Sequence, residues 1–180
     1  MNRLLTLCTD RRISPRDIKL DRDELVGLIG ACDAFVSLHR SEGFGRAPAE
    51  AMLLDRPTIV TGYSGTNDFA TKDCAYLVDY ELIPVATNEY PGVERQRWAE
   101  PNLAQAAAHM RRIYDHPEEA RRIGERGRAQ ITRLLAPEVI GQRMRAALEQ
   151  LIAAPDIELP PAGRAAKPRK PRTPHRLAVA

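Results

Sequence analysis

The sequence is poor in cysteine, in aromatic residues and in long apolar runs, and each shortage excludes something. Its 180 residues hold three cysteines, Cys8, Cys32 and Cys74. An odd count with no C-x-x-C pair supports neither a disulfide framework nor a zinc site, and it fits a reducing compartment. The apolar runs, such as Ala34–Leu38 and Pro57–Val60, fall far short of the roughly 20 residues that cross a bilayer. The opening Met-Asn-Arg-Leu-Leu-Thr-Leu-Cys has one positive residue and an apolar stretch too short for a secretory h-region, and Leu7 makes a poor cleavage position. The expectation is therefore a cytoplasmic protein, with peripheral association at a membrane left open.

What is present is ordinary for a globular chain. A hydrophobic fraction of 43% with 28% charged residues supports a real core, and the length fits one domain plus a tail. The net charge of +3 conceals a division. Residues 160–180 carry Arg164, Lys167, Arg169, Lys170, Arg172 and Arg176 with no acid, so the remainder is mildly acidic at −3. Pro155, Pro160, Pro161, Pro168, Pro171 and Pro174 crowd the same end, which should be extended and unpacked. The boundary is placed near Ala154, giving a domain at 1–154 and a disordered, Pro-rich basic tail at 155–180. A polybasic end can touch nucleic acid or anionic lipid. Its ordinary state is a solvated, disordered segment, and neither contact is expected here.

Upstream the signals alternate. Ala34–Leu38, Pro57–Thr61 and Ala75–Asp79 are short β-rich runs whose starts leave room for one crossover helix each. Such alternation means βαβ units and a parallel sheet covered on both faces. Asp21–Cys32, with Leu25, Leu28 and Ile29 on one face, supplies a helix before the first good strand, and Ile18-Lys19-Leu20 is a weak earlier strand. Residues 82–101 read as an irregular loop with Pro84, Pro91, Gly92 and Trp98. Asn102 then caps a helix striped by Leu103, Ala106, Ala107, Met110, Ile113 and Tyr114. Further helices follow from about Asp115 or His116 to Leu135, and from Pro137 with Ile140, Met144, Leu148 and Leu151.

Chemistry concentrates in Ser41-Glu42-Gly43-Phe44-Gly45-Arg46-Ala47-Pro48-Ala49-Glu50-Ala51-Met52, between a strand and a helix. Gly43 and Gly45 let the backbone turn tightly and meet a ligand with no Cβ in the way. The helix behind them offers free N–H groups and its positive dipole end, a seat for a diphosphate. Glu42 stands before the turn, and Glu50 lies one turn into the helix with its side chain pointing back toward the mouth. Two like charges cannot both serve a phosphate, whereas both can accept hydrogen bonds from ribose or sugar hydroxyls. A diphosphate between two hydroxyl-rich ends describes a nucleotide sugar.

This segment resembles the Glu-x7-Glu signature of the family-4, or group 1, retaining glycosyltransferases, in the form Glu-Gly-Phe-Gly…Glu-Ala-Met. The similarity runs from about Asp33 through Val78 and more loosely to Arg128, with Cys32-Asp33-Ala34-Phe35-Val36-Ser37 before the motif and Arg56-Pro57-Thr58-Ile59-Val60 after it. Asp55 stands where the family usually has Gly, a harmless change provided that loop avoids positive φ. The resemblance implies a Rossmann-like parallel sheet, an incomplete C-terminal half of a GT-B fold, followed by C-terminal helices and the basic tail. It implies that Glu42 contacts the donor sugar and supports the reacting centre. Gly43, Phe44 and Gly45 would hold the diphosphate, and Glu50 the ribose. His39 and Arg40 either touch donor phosphate or stand as a solvent-exposed strand-end pair. Gly65 and Thr66, in Ser64-Gly65-Thr66-Asn67-Asp68, resemble the family's second Gly-rich turn and either line the sugar pocket or form a plain capped turn. Tyr90-Pro91…Trp98-Ala99-Glu100-Pro101 resembles a loop of one subgroup, and Trp98 is expected to pack under it. His109 and His116 should be surface residues. No metal and no cofactor are implied, the nucleotide-diphosphate sugar being a substrate.

The family's upstream Arg and Lys, which neutralise the diphosphate, have no counterpart at a matching distance. The acceptor domain is missing as well, so a fragment or one half of a split transferase is expected, weak or inactive alone. The missing early strands should leave a free sheet edge. Its partners would be a nucleotide-sugar donor, an unknown acceptor and a companion acceptor domain or chain. The alternative is a non-catalytic nucleotide-sugar-binding fragment or interaction module. A tail-driven binder of nucleic acid or membrane would instead show binding that falls steeply with salt and vanishes on deleting residues 160–180.

Overall fold

The computed structural model describes residues 10–86, 89 and 95–153. The chain divides into two compact units, Met1–Ile140 and Gly141–Ala180, and the residues of the candidate site all belong to the first. Helix α1 (Arg22–Ala31) starts at a capping box, in which the Asp21 carboxylate accepts from the Glu24 N–H and the Glu24 side chain accepts from the Asp21 N–H. The chain then forms β1 (Phe35–Ser37), turns into α2 (Arg46–Leu53), and returns as β2 (Thr58–Thr61). A 3-10 turn at Ser64–Asp68 leads to β3 (Tyr76–Val78). The three strands are parallel in the order β1-β2-β3, with Phe35 opposite Thr58 and Ile59 opposite Tyr76. The fold is α/β, as the spacing of the strands predicts.

Strand β2 is central and buried throughout, so its side chains feed both faces with the period of two that a pleated strand imposes. Val60 joins Ala49, Met52, Phe69, Ala70, Cys74, Ala75 and Ile131 on one side. Ile59 joins Tyr76, Val78, Ala106, Ile113, Ala120 and Ile123 on the other. Met52, Ile59, Val60 and Val78 are fully enclosed, each contributing about 1.5–3 kcal/mol of apolar burial. The second face is closed by α3 (Leu103–Asp115), whose Asn102 cap accepts from the Gln105 N–H, and by the start of α4 (Pro117–Leu135). Burial pushes the Tyr76 phenol pKa up, with the Glu119 charge adding to it, so the phenol keeps its proton into alkaline solution.

Helix α4 passes the N-terminal ends of β2 and β3. A Cβ at Gly124 would stand 2.2 Å from the Asp55 carbonyl oxygen, and one at Gly127 would stand 3.2 Å from that of Cys74. Both carbonyls lie just ahead of a strand. The opposite end of the sheet, where β1 and β2 release their chains, is left to other loops.

Several expectations need correction. No strand forms at 18–20, since that segment has no described neighbour to pair with. The β2–β3 crossover holds only the 3-10 turn rather than an α-helix. The stretch 82–101 is not simply irregular: β4 (Tyr80–Pro84) and β5 (Arg97–Pro101) pair antiparallel, with Leu82 opposite Ala99. Leu28 of α1 and Leu103, Met110 and Tyr114 of α3 are exposed, because among the described residues only part of each stripe meets the sheet. The last helix, α5 (Pro137–Ala153), buries none of its residues, and Met144, Leu148 and Leu151 are exposed. His109 is not merely a surface residue, for its Nε2 donates to the Leu77 carbonyl at 3.1 Å and its ring lies 5.4 Å from that of Tyr76.

Asp55 carries a further correction, because its φ is +59°. It follows the C-cap of α2, where the left-handed conformation ends a helix and glycine is preferred. The exchange for Asp therefore costs about 1 kcal/mol of backbone strain, partly offset by an ion pair with Arg128 at 2.9 Å. Among the described residues β1 pairs only with β2. The expected tail at 155–180 lies outside the described residues.

One substitution separates helix propensity from packing. Gly124→Ala should improve the intrinsic helix preference of α4 by about 1 kcal/mol yet destabilise the protein by about 2 kcal/mol or more, because the methyl meets backbone that cannot yield. Urea unfolding of the two proteins measures the sign.

Candidate functional site

Two loops interlock at the C-terminal ends of β1 and β2. The first is Glu42–Gly45 and the second is the Ser64–Asp68 turn. The Ser64 hydroxyl donates to the Glu42 carbonyl at 2.5 Å, and the Gly65 N–H donates to the same oxygen at 3.0 Å. Their backbones approach so closely that a Cβ on Gly65 would sit 2.2 Å from the Gly43 carbonyl oxygen. Gly45 has φ +89° and would place a Cβ 2.6 Å from the Thr66 Cγ2, so both conformation and space demand glycine there. Ser64 takes φ +70°, a local strain of the kind that accumulates at ligand-binding loops.

Gly43 differs from both. A Cβ there would meet nothing within 4 Å, so the backbone at Gly43 borders open space. Gly45 is the N-cap of α2 and supplies no side-chain acceptor, and no acid stands in the first turn. The leading N–H groups of α2, at Arg46 and Ala47, therefore lack the usual internal partners and form the positive end of its dipole. Phe44 is 41% exposed and its ring rests against Phe69, 5.3 Å between centroids.

Glu50 lies one turn into α2 with its side chain 15% exposed. Its Oε1 accepts from Arg22 Nη1 at 2.8 Å and faces Arg46 Nε at 3.7 Å. Among the described residues Oε2 has no partner. Arg22 belongs to α1 and lies 28 residues away in sequence, which is why the sequence offers no signal for the pair. A groove of about 480 Å³ runs beside Glu50, walled by Phe44, Ala49, Leu53, Ile131 and Leu135.

The other candidates have partners of their own. His39 is half-buried, its Nε2 donating to the Tyr63 carbonyl at 3.0 Å with its Nδ1 3.4 Å from the Ser37 hydroxyl. The ring thus ties the end of β1 to the loop after β2 rather than standing in solvent. Thr66 is fully buried and donates to the Tyr63 and Thr61 carbonyls, so its hydroxyl holds the second turn in shape. Arg40 forms ion pairs with Glu100 at 2.6 Å and Glu89 at 3.4 Å, and its guanidinium lies 4.7 Å from the centre of the Trp98 ring. Trp98 sits on β5 beside Arg40, whereas Tyr90 and Pro91 lie outside the described residues. Among the described residues, no helix is long and apolar enough to cross a membrane.

The pattern of the group 1 glycosyl transferases matches residues 18–130, well over half the chain and including both glycine turns. The chain belongs to the group 1 glycosyl transferases. No curated protein matches it. Among solved structures, HepE of Anabaena in complex with UDP and glucose is similar with a TM-score of 0.60 at 16% identity, over 83% of this chain and 35% of HepE. HepE with UDP gives a TM-score of 0.52 at 18% identity, over 68% and 29% of the two chains. HepE with UDP-glucose gives 0.53 at 19% identity, over 72% and 30%. At these identities the likeness is one of fold: a Rossmann-like, partial GT-B architecture. The chain spans about a third of HepE.

In this group 1 glycosyl transferase the two glycines of the first turn should separate under substitution. Gly43→Ala should leave the melting temperature within about 2 °C, because its methyl enters open space. Gly45→Ala should cost about 2 kcal/mol or more through left-handed strain and the clash with Thr66. Thermal unfolding followed by circular dichroism reads both.

Proposed function

We propose that this chain supplies the donor-binding part of a retaining glycosyl transfer from a nucleotide-diphosphate sugar. The observation that carries the reading is the pair of interlocked glycine turns, which leaves the Gly43 backbone and the start of α2 facing open space. The diphosphate would rest on the Gly43–Gly45 backbone and the leading N–H groups of α2, a geometry suited to anions. Glu50 would receive ribose hydroxyls on Oε2. Arg22 and Arg46, both on Oε1, hold that carboxylate in place and bring positive charge to the mouth. Glu42 would face the donor sugar.

In the reaction, the bond from the anomeric carbon to the leaving phosphate oxygen breaks while an acceptor oxygen bonds to the same face. The acceptor proton passes to the departing phosphate. The sugar becomes oxocarbenium-like between these events, and Glu42 supplies a fixed negative charge beside it, the preorganised electrostatics on which such a step depends. HepE binds UDP, glucose and UDP-glucose, which makes uridine diphosphate sugars the first donors to test. The alternative reading is a nucleotide-sugar-binding module without activity of its own.

Calorimetric titration of the chain with UDP, GDP and ADP tests the donor site. One nucleotide should bind, and Glu50→Gln should weaken it roughly tenfold, about 1.4 kcal/mol, with no loss of fold. Gly43→Ala should weaken it comparably. Absence of binding by a folded chain overturns the donor reading, and turnover of the matching nucleotide sugar by the chain alone overturns the module.

A further inference from the structure

Alone among the helices of the described residues, α5 (Pro137–Ala153) buries none of its side chains. At 3.6 residues per turn, Ile140, Met144, Ala147, Leu148 and Leu151 share one face, and Ile152 borders it. Met144, Leu148, Leu151 and Ile152 are between 56% and 83% exposed, so a continuous apolar strip stands uncovered. Arg143 and Arg145 fall on its two opposite edges, with Gln142 and Glu149 on the far side. Among the described residues neither arginine forms an ion pair.

The charge of the chain divides at the same place. From Pro137 to Ala180 the sequence holds eight Lys and Arg against four Asp and Glu, and the six cations of residues 160–180 have no acid among them. Of the chain's 27 basic and 24 acidic side chains, 19 and 20 are left to the first 136 residues. By composition alone such a basic segment is a solvated end. Following an uncovered apolar face, it takes on a second meaning, because both features are attracted to one kind of surface.

The pattern selects among occupants. A nucleic acid would engage the cations and leave the apolar strip in water. A second copy of this region carries the same excess of positive charge and repels. An anionic bilayer meets both features at once. Its acyl chains take the apolar strip in the plane of the interface, and its headgroups surround the basic side chains. Arginines at the edges of such a strip reach outward to headgroup level on their long stems. No described helix is long and apolar enough to cross a membrane, so the geometry is that of a helix lying on one. Stable peripheral anchoring generally takes two signals, and an apolar face with a polybasic segment supplies them.

We propose that α5, with the basic segment that follows it, is a peripheral anchor for an anionic lipid surface. Such anchoring is independent of nucleotide binding at the glycine turns.

Co-sedimentation of the full chain with vesicles of equal parts phosphatidylcholine and phosphatidylglycerol tests the anchor, with pure phosphatidylcholine vesicles as the comparison. The chain should bind the mixed vesicles roughly tenfold more tightly or better, and added sodium chloride should weaken that binding. The double variant Met144→Glu, Leu148→Glu should bind roughly tenfold less tightly with an unchanged melting temperature, since neither side chain is packed. Exchange of the six cations of residues 160–180 for glutamine should weaken binding by about tenfold or more. Acyl-brominated lipid should quench the emission of Leu148→Trp more strongly than that of the wild-type chain, whose single tryptophan is Trp98. Failure to bind the mixed vesicles overturns the anchor. So does binding that the double variant leaves intact, which would mark simple attraction of the basic segment. Preference for duplex DNA over the vesicles overturns it in favour of nucleic acid, and a wild-type dimer that the double variant dissociates overturns it in favour of a second copy.

Discussion

Everything at the candidate site depends on one close approach of backbone to backbone. Gly65 can press against the Gly43 carbonyl only because it has no Cβ, and in that position its own N–H and the Ser64 hydroxyl both reach the Glu42 carbonyl. The second turn therefore buttresses the first. With its carbonyl side held, the Glu42–Gly45 loop keeps its other side open, and the left-handed Gly45 aims the chain into α2. His39 and Thr66 belong to the same device, since both take the Tyr63 carbonyl and so join the ends of β1 and β2.

The two ends of the parallel sheet divide the work. At the N-terminal ends of β2 and β3, α4 packs so tightly that two glycines are needed where it passes the Asp55 and Cys74 carbonyls. Stability is concentrated there, and Asp55 accepts a strained conformation to let α2 end in time for β2 to begin. At the C-terminal ends the loops carry exposed glycine, helix N–H groups, paired charges and Trp98. An open α/β sheet generally places its ligands at that end, where the strands release chain into loops and helices begin.

The antiparallel β4–β5 pair changes what the molecule can do at that end. It converts what reads as an irregular Pro-containing connection into a wall beside the β1 loop, fixed by Arg40. Arg40 is not an isolated strand-end residue. Its carbonyl, its guanidinium and its planar face each have a separate partner, and together they place the tryptophan.

What the sequence by itself determined is local. Glycines at 43 and 45 after a β-rich run imply a tight turn into a helix, Asp21 and Asn102 imply caps, and the spacing of three β-rich runs implies parallel strands. Each of these follows from steric or hydrogen-bonding rules that act over a few residues. The apolar stripes of α1, α3 and α5 were equally legible, yet an amphipathic pattern states that a face is apolar and not what covers it, so Leu28, Met110 and Met144 emerge exposed. Only the tertiary structure decided that Arg22 would hold Glu50, that Gly65 would brace Gly43, that Asp55 would take positive φ, and that Trp98 would stand beside Arg40. These contacts join positions 22 to 73 residues apart, or a conformation to the helix that packs upon it. They exist only once the sheet, α2 and α4 have been packed together, and no pattern of neighbouring residues contains that distance.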